Sequence, residues 1–250
     1  MSGSGYDLST TTFSPEGRVY QIEYAQKAVD SASTTVGVTC REGVVLATEK
    51  IMGSKMLASG SGRRIYAVSA RISLAFSGIV PDARELAEVA RKEARQWLEV
   101  YDEEISVRNL AERLSQYVHA YTQYWSVRPF GCAVLVGGLG LSSSGDLFGI
   151  DVTGAVTKYR AFSVGKGRQT VKNELEKTRD FSVLSVDDAA LLAVKTLLKA
   201  HDENDRDTEI ELVVITAASG SSENHSRNVT GEILRHLESR ARDLIAADQE

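Results

Sequence analysis

Proline is scarce in this chain, with three residues in 250, and so are cysteine, with two, and histidine, with four. So few prolines leave no Pro-rich linker, and no repeat or low-complexity segment interrupts the sequence. Cys40 and Cys132 each lack a second thiol at ligand spacing, and His119, His201, His225 and His236 are scattered. The sequence therefore predicts no metal site and no cofactor. Both cysteines sit in strand-like runs, which predicts reduced thiols rather than a disulfide. No apolar run approaches the ~20 residues that span a bilayer. Residues 1–12 are polar and lack an apolar signal core, which argues against secretion. On that reading the sequon-like triplets beginning at Asn224 and Asn228 never meet the glycosylation machinery. Positive charge is also short: 29 Lys and Arg stand against 34 Asp and Glu, for a net charge of −5. Without a basic stripe to neutralise phosphates, nucleic acid is not an expected partner. Gly137-Gly138 and Gly165-Lys166-Gly167 miss the full spacing of a phosphate loop and read as turn glycines.

What the chain does have is enough apolar residues, 42%, to bury a sizeable core. No linker divides it, so one domain over 1–250 is expected. Ser14-Pro15-Glu16 has the residue types of a helix start, and Val19, Ile22, Ala25 and Val29 follow on one side. That stripe is expected to pack on something other than the core sheets. Residues 34–40 and 44–48 alternate around Arg41-Glu42-Gly43 as a hairpin, and 65–68 with 72–77 form a second pair. Four strands with tight connections predict an antiparallel sheet.

A helix over 81–101 carries Leu86, Val89, Ala90, Ala94, Trp97 and Tyr101. The next, capped at Ser106, runs from Val107 to Tyr124 with the cleanest 3.6-residue period in the chain. Strands are expected over 132–136, 147–151, 156–159 and 210–216. Helices are expected over 169–178, over 185–201 with Ser185 and Asp188 as a capping pair, and after a Thr230 cap. Runs of strands followed by runs of helices argue for an α+β fold. The arrangement that buries every apolar face is a four-layer αββα sandwich: two stacked antiparallel sheets between helix pairs, preceded by an extra N-terminal helix.

Specific motifs cluster at the N-terminus. Tyr6-Asp7-Leu8, Thr12-Phe13-Ser14-Pro15-Glu16-Gly17-Arg18 and Gln21-Ile22-Glu23-Tyr24-Ala25 resemble the signature of proteasome α-type subunits. Ser77-Gly78-Ile79-Val80-Pro81-Asp82-Ala83-Arg84 and Val127-Arg128-Pro129-Phe130-Gly131-Cys132 resemble later blocks of that family, in the right order. Gly5-Tyr6-Asp7-Leu8-Ser9 and Tyr117-Val118-His119-Ala120-Tyr121-Thr122 look most like the seventh of the eukaryotic α types. The resemblance implies an N-terminal-nucleophile hydrolase-like sandwich divided into a gate segment (1–13), an N-terminal helix (14–32) and the sandwich proper (33–250).

In that fold active β-type relatives use an N-terminal Thr. The resemblance puts Ser33 at the nucleophile, Glu49 at its acidic partner and Arg64 at its lysine. Chemistry opposes a working site. Ser33 is internal, so its nitrogen is an amide and cannot act as base, and an arginine stays protonated where a lysine can give up its proton. Cleavage after Ala32 would also discard the N-terminal helix. No catalytic residue is expected, and the alternative is a self-processing β-type peptidase that begins at Ser33.

The resemblance further implies a non-catalytic member of a seven-membered α ring in the 20S core particle, in cytoplasm and nucleus. Its partners would be neighbouring α subunits, β-ring subunits, and a regulatory particle or other activators. Tyr6, Asp7, Pro15 and Tyr24 match a cluster that holds the entry gate open. A Tyr hydroxyl can donate to Asp7, and Pro15 sets a rigid turn. Arg64, Gly78 and Ile79 match a pocket between adjacent α subunits that receives the C-terminal residues of activators.

Overall fold

A computed structural model of the chain describes residues 5–54, 56–58, 60–140, 144–201, 208–217 and 225–248. The elements run α1 (Tyr20–Asp30), β1 (Thr35–Cys40), β2 (Gly43–Ile51), β3 (Ile65–Ala67), β4 (Ile72–Gly78), α2 (Val80–Tyr101) and α3 (Val107–Ala120). Then come β5 (Cys132–Leu139), β6 (Gly145–Ile150), β7 (Val156–Tyr159), β8 (Ala161–Val164), α4 (Arg168–Leu175), α5 (Val186–Ala200), β9 (Thr208–Thr216), β10 (Ser226–Val229) and α6 (Glu232–Ala247).

Two five-stranded sheets result, ordered β10-β9-β2-β1-β8 and β3-β4-β5-β6-β7, with every pairing antiparallel. The two predicted hairpins thus fall in different sheets and do not extend one another. Between the sheets lies a core of Val44, Leu46, Ala75, Leu135, Leu147 and Ile215. The outer face of the first sheet packs Val36, Val38, Val45 and Ala47 on Ala189, Val194 and Leu197 of α5, with α4 and α6 alongside. The second sheet packs Leu74, Phe76 and Val134 on Leu86, Leu110 and Leu114 of α2 and α3. The αββα sandwich is as expected, with three helices rather than two over the first sheet.

The strand period explains this burial: along β2, Val44 and Leu46 face the other sheet while Val45 and Ala47 face the helices. Caps fix two of the helices, because Ser106 accepts from the Asn109 amide and Ser185 from the Asp188 amide. Both thiols are free and buried.

Several expectations need correction. The first helix begins at Tyr20, not at Ser14. Ser14 closes a turn instead: its Oγ accepts from the Arg18 amide at 3.1 Å and its C=O from Gly17, whose φ is +76°. That left-handed residue ends any helical path through Pro15. Nor does the α1 stripe avoid the sheets, since Ala25 and Val29 are buried in the inter-sheet core with Ile22 beside them. The helix capped at Ser106 stops at Ala120, leaving Tyr124 exposed. The last helix starts after Gly231, not Thr230. Gly137 and Gly138 are interior to β5, one against Leu46 and the other against Val107 and Ile72, so they are close-packing positions and not turns. Strands β8 and β10 went unpredicted; β10 contains Asn228, while Asn224 lies outside the described residues.

Candidate functional site

The link from α1 into β1 passes through Ser33, which is buried and held on both sides. Its carbonyl accepts from Ser77 Oγ at 2.8 Å, and the carbonyl of Ala32 accepts from the Lys166 amide at 2.9 Å. Thr34 Oγ1 accepts from the Gly167 amide at 2.9 Å, and Thr35 shares a 2.8 Å hydroxyl contact with Thr48. Glu49 does not turn to Ser33: its carboxylate meets His201 Nδ1 at 2.5 Å, at the end of α5. Arg64 is anchored by its backbone, donating its amide N–H to Glu211 Oε2 at 2.8 Å. Burial lowers the Arg64 pKa, opposed by Tyr66 and Glu211. Among the described residues no hydrogen bond joins Ser33, Glu49 and Arg64. What surrounds Ser33 is a well-bonded passage of chain, with its nitrogen committed to a peptide bond.

Arg64 lies just ahead of β3, Gly78 ends the neighbouring β4, and Ile79 follows it into α2. The Arg64 carbonyl accepts from the Phe76 amide at 3.2 Å, so β3 enters its sheet two residues from Gly78. Gly78 has φ +124°, and a Cβ there would stand 2.2 Å from the Gly131 carbonyl oxygen. Only glycine meets both demands. Ile79, half-exposed at 40%, donates its amide to that same Gly131 oxygen at 2.9 Å and opens α2.

Beneath them is an ion pair that sequence reasoning missed. Asp82, in the first turn of α2, receives Arg128 Nη1 at 2.6 Å and Nη2 at 2.8 Å in a two-pronged contact. It also accepts from the Gly131 amide at 2.9 Å. Burial pushes the Asp82 carboxyl up, but the Arg128 hydrogen bond, the Gly131 amide and the Arg128 charge outweigh it, and the net shift is down. Position favours the anion as well, since the helix start is its positive end. The motif blocks around residues 77–84 and 127–132 thus interlock, and Ile79 rests on the result. Opposite charges in two Gly-containing blocks were the signal available in the sequence.

At the N-terminus, Tyr24 and Asp7 meet: the hydroxyl donates to Asp7 Oδ2 at 3.5 Å, and Gln21 Nε2 donates to the Asp7 carbonyl. Partial desolvation, then Asp7's charge and hydrogen bond, raise the Tyr24 pKa. Tyr20 stacks on Tyr24 with ring centroids 6.4 Å apart. Tyr6 and Pro15 are both exposed, and among the described residues neither is hydrogen-bonded to this pair. Thr10, buried, ties the segment to the body through the Tyr124 carbonyl at 3.2 Å. Leu8, Phe13 and Trp125 are largely exposed around it. Residues 1–4 of the expected gate segment lie outside the described residues.

A cavity of about 670 Å³ opens between the edge strands β7 and β8 and helices α1 and α4, lined by Val29, Tyr159, Phe162, Arg168, Lys172 and Leu175 among others. None of the candidate residues lines it. The described residues contain no cluster able to hold a metal ion, and no described helix is long and apolar enough to cross a membrane.

Residues 29–215 match the family model described as proteasome subunit. Residues 6–28, which contain Asp7, Gln21 and Tyr24, match the N-terminal signature of A-type proteasome subunits. An alpha type-3 proteasome subunit of Oryza sativa subsp. japonica is 45% identical over 211 residues, 84% of each chain. One of Arabidopsis thaliana is 39% identical over 243 residues, 97% of this chain and 96% of the relative. A probable alpha type-7 proteasome subunit of Saccharomyces cerevisiae is 36% identical over 250 residues, covering 99% and 86%. Two family models spanning residues 6–215 and relatives matched over 84–97% of the chain agree: the chain belongs to the proteasome subunit family, as an α-type subunit of the 20S core.

Proposed function

We propose that the chain is a non-catalytic ring and gate subunit, one of seven α-type chains in an outer ring of the core particle. In this reading residues 1–13 help to close the entry pore, and Tyr6, Asp7, Pro15 and Tyr24 hold it open when an activator docks. Arg64, Gly78 and Ile79 form one wall of a pocket for an activator's C-terminal residues. The neighbours are other α chains, the β ring, and a regulatory particle or other activators, in cytoplasm and nucleus. Neither nucleic acid, membrane nor cofactor enters the reading.

The observation that carries it is the chain's path through Ser33. An N-terminal nucleophile needs its own free amine as base. Freeing that amine would take cleavage after Ala32, where the carbonyl groups of Ala32 and Ser33 are both hydrogen-bonded, and the acid Glu49 is engaged by His201 and not by Ser33. Helix α1 adds a second argument. Cleavage after Ala32 would remove Ala25 and Val29 from the inter-sheet core, with Val29 alone worth ~1.5–3 kcal/mol of burial. Exposed Leu8, Phe13, Tyr24 and Trp125 supply apolar surface for neighbouring subunits to cover. Native mass spectrometry of the purified particle tests the assignment. A subunit mass that retains residues preceding Ser33, present in α-ring stoichiometry, supports it. A mature chain that begins at Ser33 overturns it in favour of the self-processing peptidase.

A further inference from the structure

A carboxylate from the opposite sheet stands behind Arg64. Glu211, on β9, accepts the Arg64 amide through Oε2 at 2.8 Å. On the other side the Arg64 carbonyl accepts from Phe76, and the Tyr66 hydroxyl donates to the Arg63 carbonyl at 2.8 Å. A few residues earlier, the nearly fully buried Lys50 donates to the Ser61 carbonyl at 3.0 Å and pairs with Glu209 at 2.9 Å. The first sheet thereby grips the chain entering β3 with two charged side chains, Lys50 and Glu211, the former paired with Glu209. Held by Glu211 through its amide and by Phe76 through its carbonyl, the Arg64 backbone is fixed on both sides.

This is a costly way to hold a strand end. Burial pushes the Glu211 carboxyl above the usual carboxylate range, opposed chiefly by the Arg64 amide and by the charges of Lys50 and Arg63. An apolar side chain on this inward face, continuing Val213 and Ile215, would be less expensive than a desolvated acid. The carboxylate lies one hydrogen bond from the Arg64 backbone, and its charge works against the lowering of the Arg64 pKa by burial.

We infer that Glu211 is the positioning residue of the activator-tail pocket: its bond to the Arg64 amide fixes the backbone from which that side chain reaches, and its charge tempers the attraction of Arg64 for an incoming carboxylate. The inference rests on the pocket reading of Arg64, Gly78 and Ile79. Lys50, Glu209, Arg63 and Tyr66 complete the charged and titratable groups around it.

The test uses assembled particles and a fluorescein-labelled heptapeptide ending in Leu-Leu-Ala, made once with a free carboxylate and once as the carboxamide. Fluorescence anisotropy at fixed salt gives the ratio of the two affinities. Glu211→Gln keeps an oxygen for the Arg64 amide and drops the charge, so the preference for the carboxylate should rise about fivefold, as expected for one unit charge removed at a partly wet site. Glu211→Ala loses both functions, and its preference should fall to the wild-type value or below. Arg64→Ala should erase the preference. If Arg64→Ala leaves the preference unchanged, the pocket reading fails and takes this inference with it. If Arg64→Ala erases it but Glu211→Gln matches wild type, the pocket stands and the role of Glu211 is refuted. Equal changes in both peptides' affinities with Glu211→Gln refute it too, because a merely structural role moves both alike.

Discussion

Removing the Asp82 carboxylate should loosen the platform under Ile79, and the cost can be worked from its three partners. Asp82 is 7% exposed, takes both Arg128 nitrogens, and is the acceptor for the Gly131 amide. In Asp82→Ala the buried Gly131 N–H is left unpaired, at about 1–3 kcal/mol. The Arg128 contribution is smaller than two charged hydrogen bonds would suggest, because that side chain is 61% exposed and screened by solvent, leaving about 1 kcal/mol. The total is about 2–4 kcal/mol. Asp82→Asn keeps an oxygen for the Gly131 amide and should cost only the ion pair, about 1 kcal/mol. Urea unfolding of the purified chain reads both values. The pH dependence has a definite sign. The folded-state value lies below the ordinary 3.8, so the stabilisation is complete above the unfolded value and fades as pH falls through the folded one. The gap between wild type and Asp82→Asn should therefore close in acid and persist at neutral pH. An Asp82→Ala chain within about 0.5 kcal/mol of wild type at neutral pH would refute the reasoning.

Gly78→Ala should destabilise the chain by about 2–4 kcal/mol, because it adds a left-handed strain to a backbone clash; an unchanged thermal midpoint would contradict the geometry. Deleting residues 1–8 should leave assembly intact and raise basal peptide hydrolysis, whereas deleting 1–32 removes Ala25 and Val29 from the core and should block incorporation. Native gels and a fluorogenic peptide separate the two, and normal rings from the longer deletion would count against the role given to α1. Asp7→Ala and Tyr24→Phe each remove the same 3.5 Å hydrogen bond, so both should reduce activator-stimulated hydrolysis and the double variant should be no worse than either alone. Full additivity would mean that the two residues act separately.

The long amphipathic helices were readable because their period is local: Leu86 and Ala90, or Leu110, Leu114 and Val118, fall on one face at helical spacing and are buried there. So were the Ser106 and Ser185 caps, whose partners lie three residues away. Short edge strands were not. β8 and β10 have four residues each and owe their state to neighbours β1 and β9, which no window of sequence displays. Ser14, Pro15 and Glu16 are helix-start types in the wrong place, and Gly17's positive φ decides against them. The Asp7–Tyr24 contact spans only 17 residues, across one turn and the start of one helix. Asp82 and Arg128 lie 46 residues apart, and nothing local links them. Glu211 was invisible for the same reason, because its partner Arg64 is 147 residues away in the other sheet.

The most direct test of a non-catalytic α-type subunit is peptide hydrolysis by purified particles carrying Ser33→Ala, measured against wild type with each fluorogenic peptide the particle cleaves. The substitution removes only a hydroxyl and leaves in place the Ser33 carbonyl that Ser77 binds, so assembly should be preserved. Every activity should equal wild type within error. A large loss of any peptidase activity from fully assembled particles would contradict the account and make Ser33 a nucleophile.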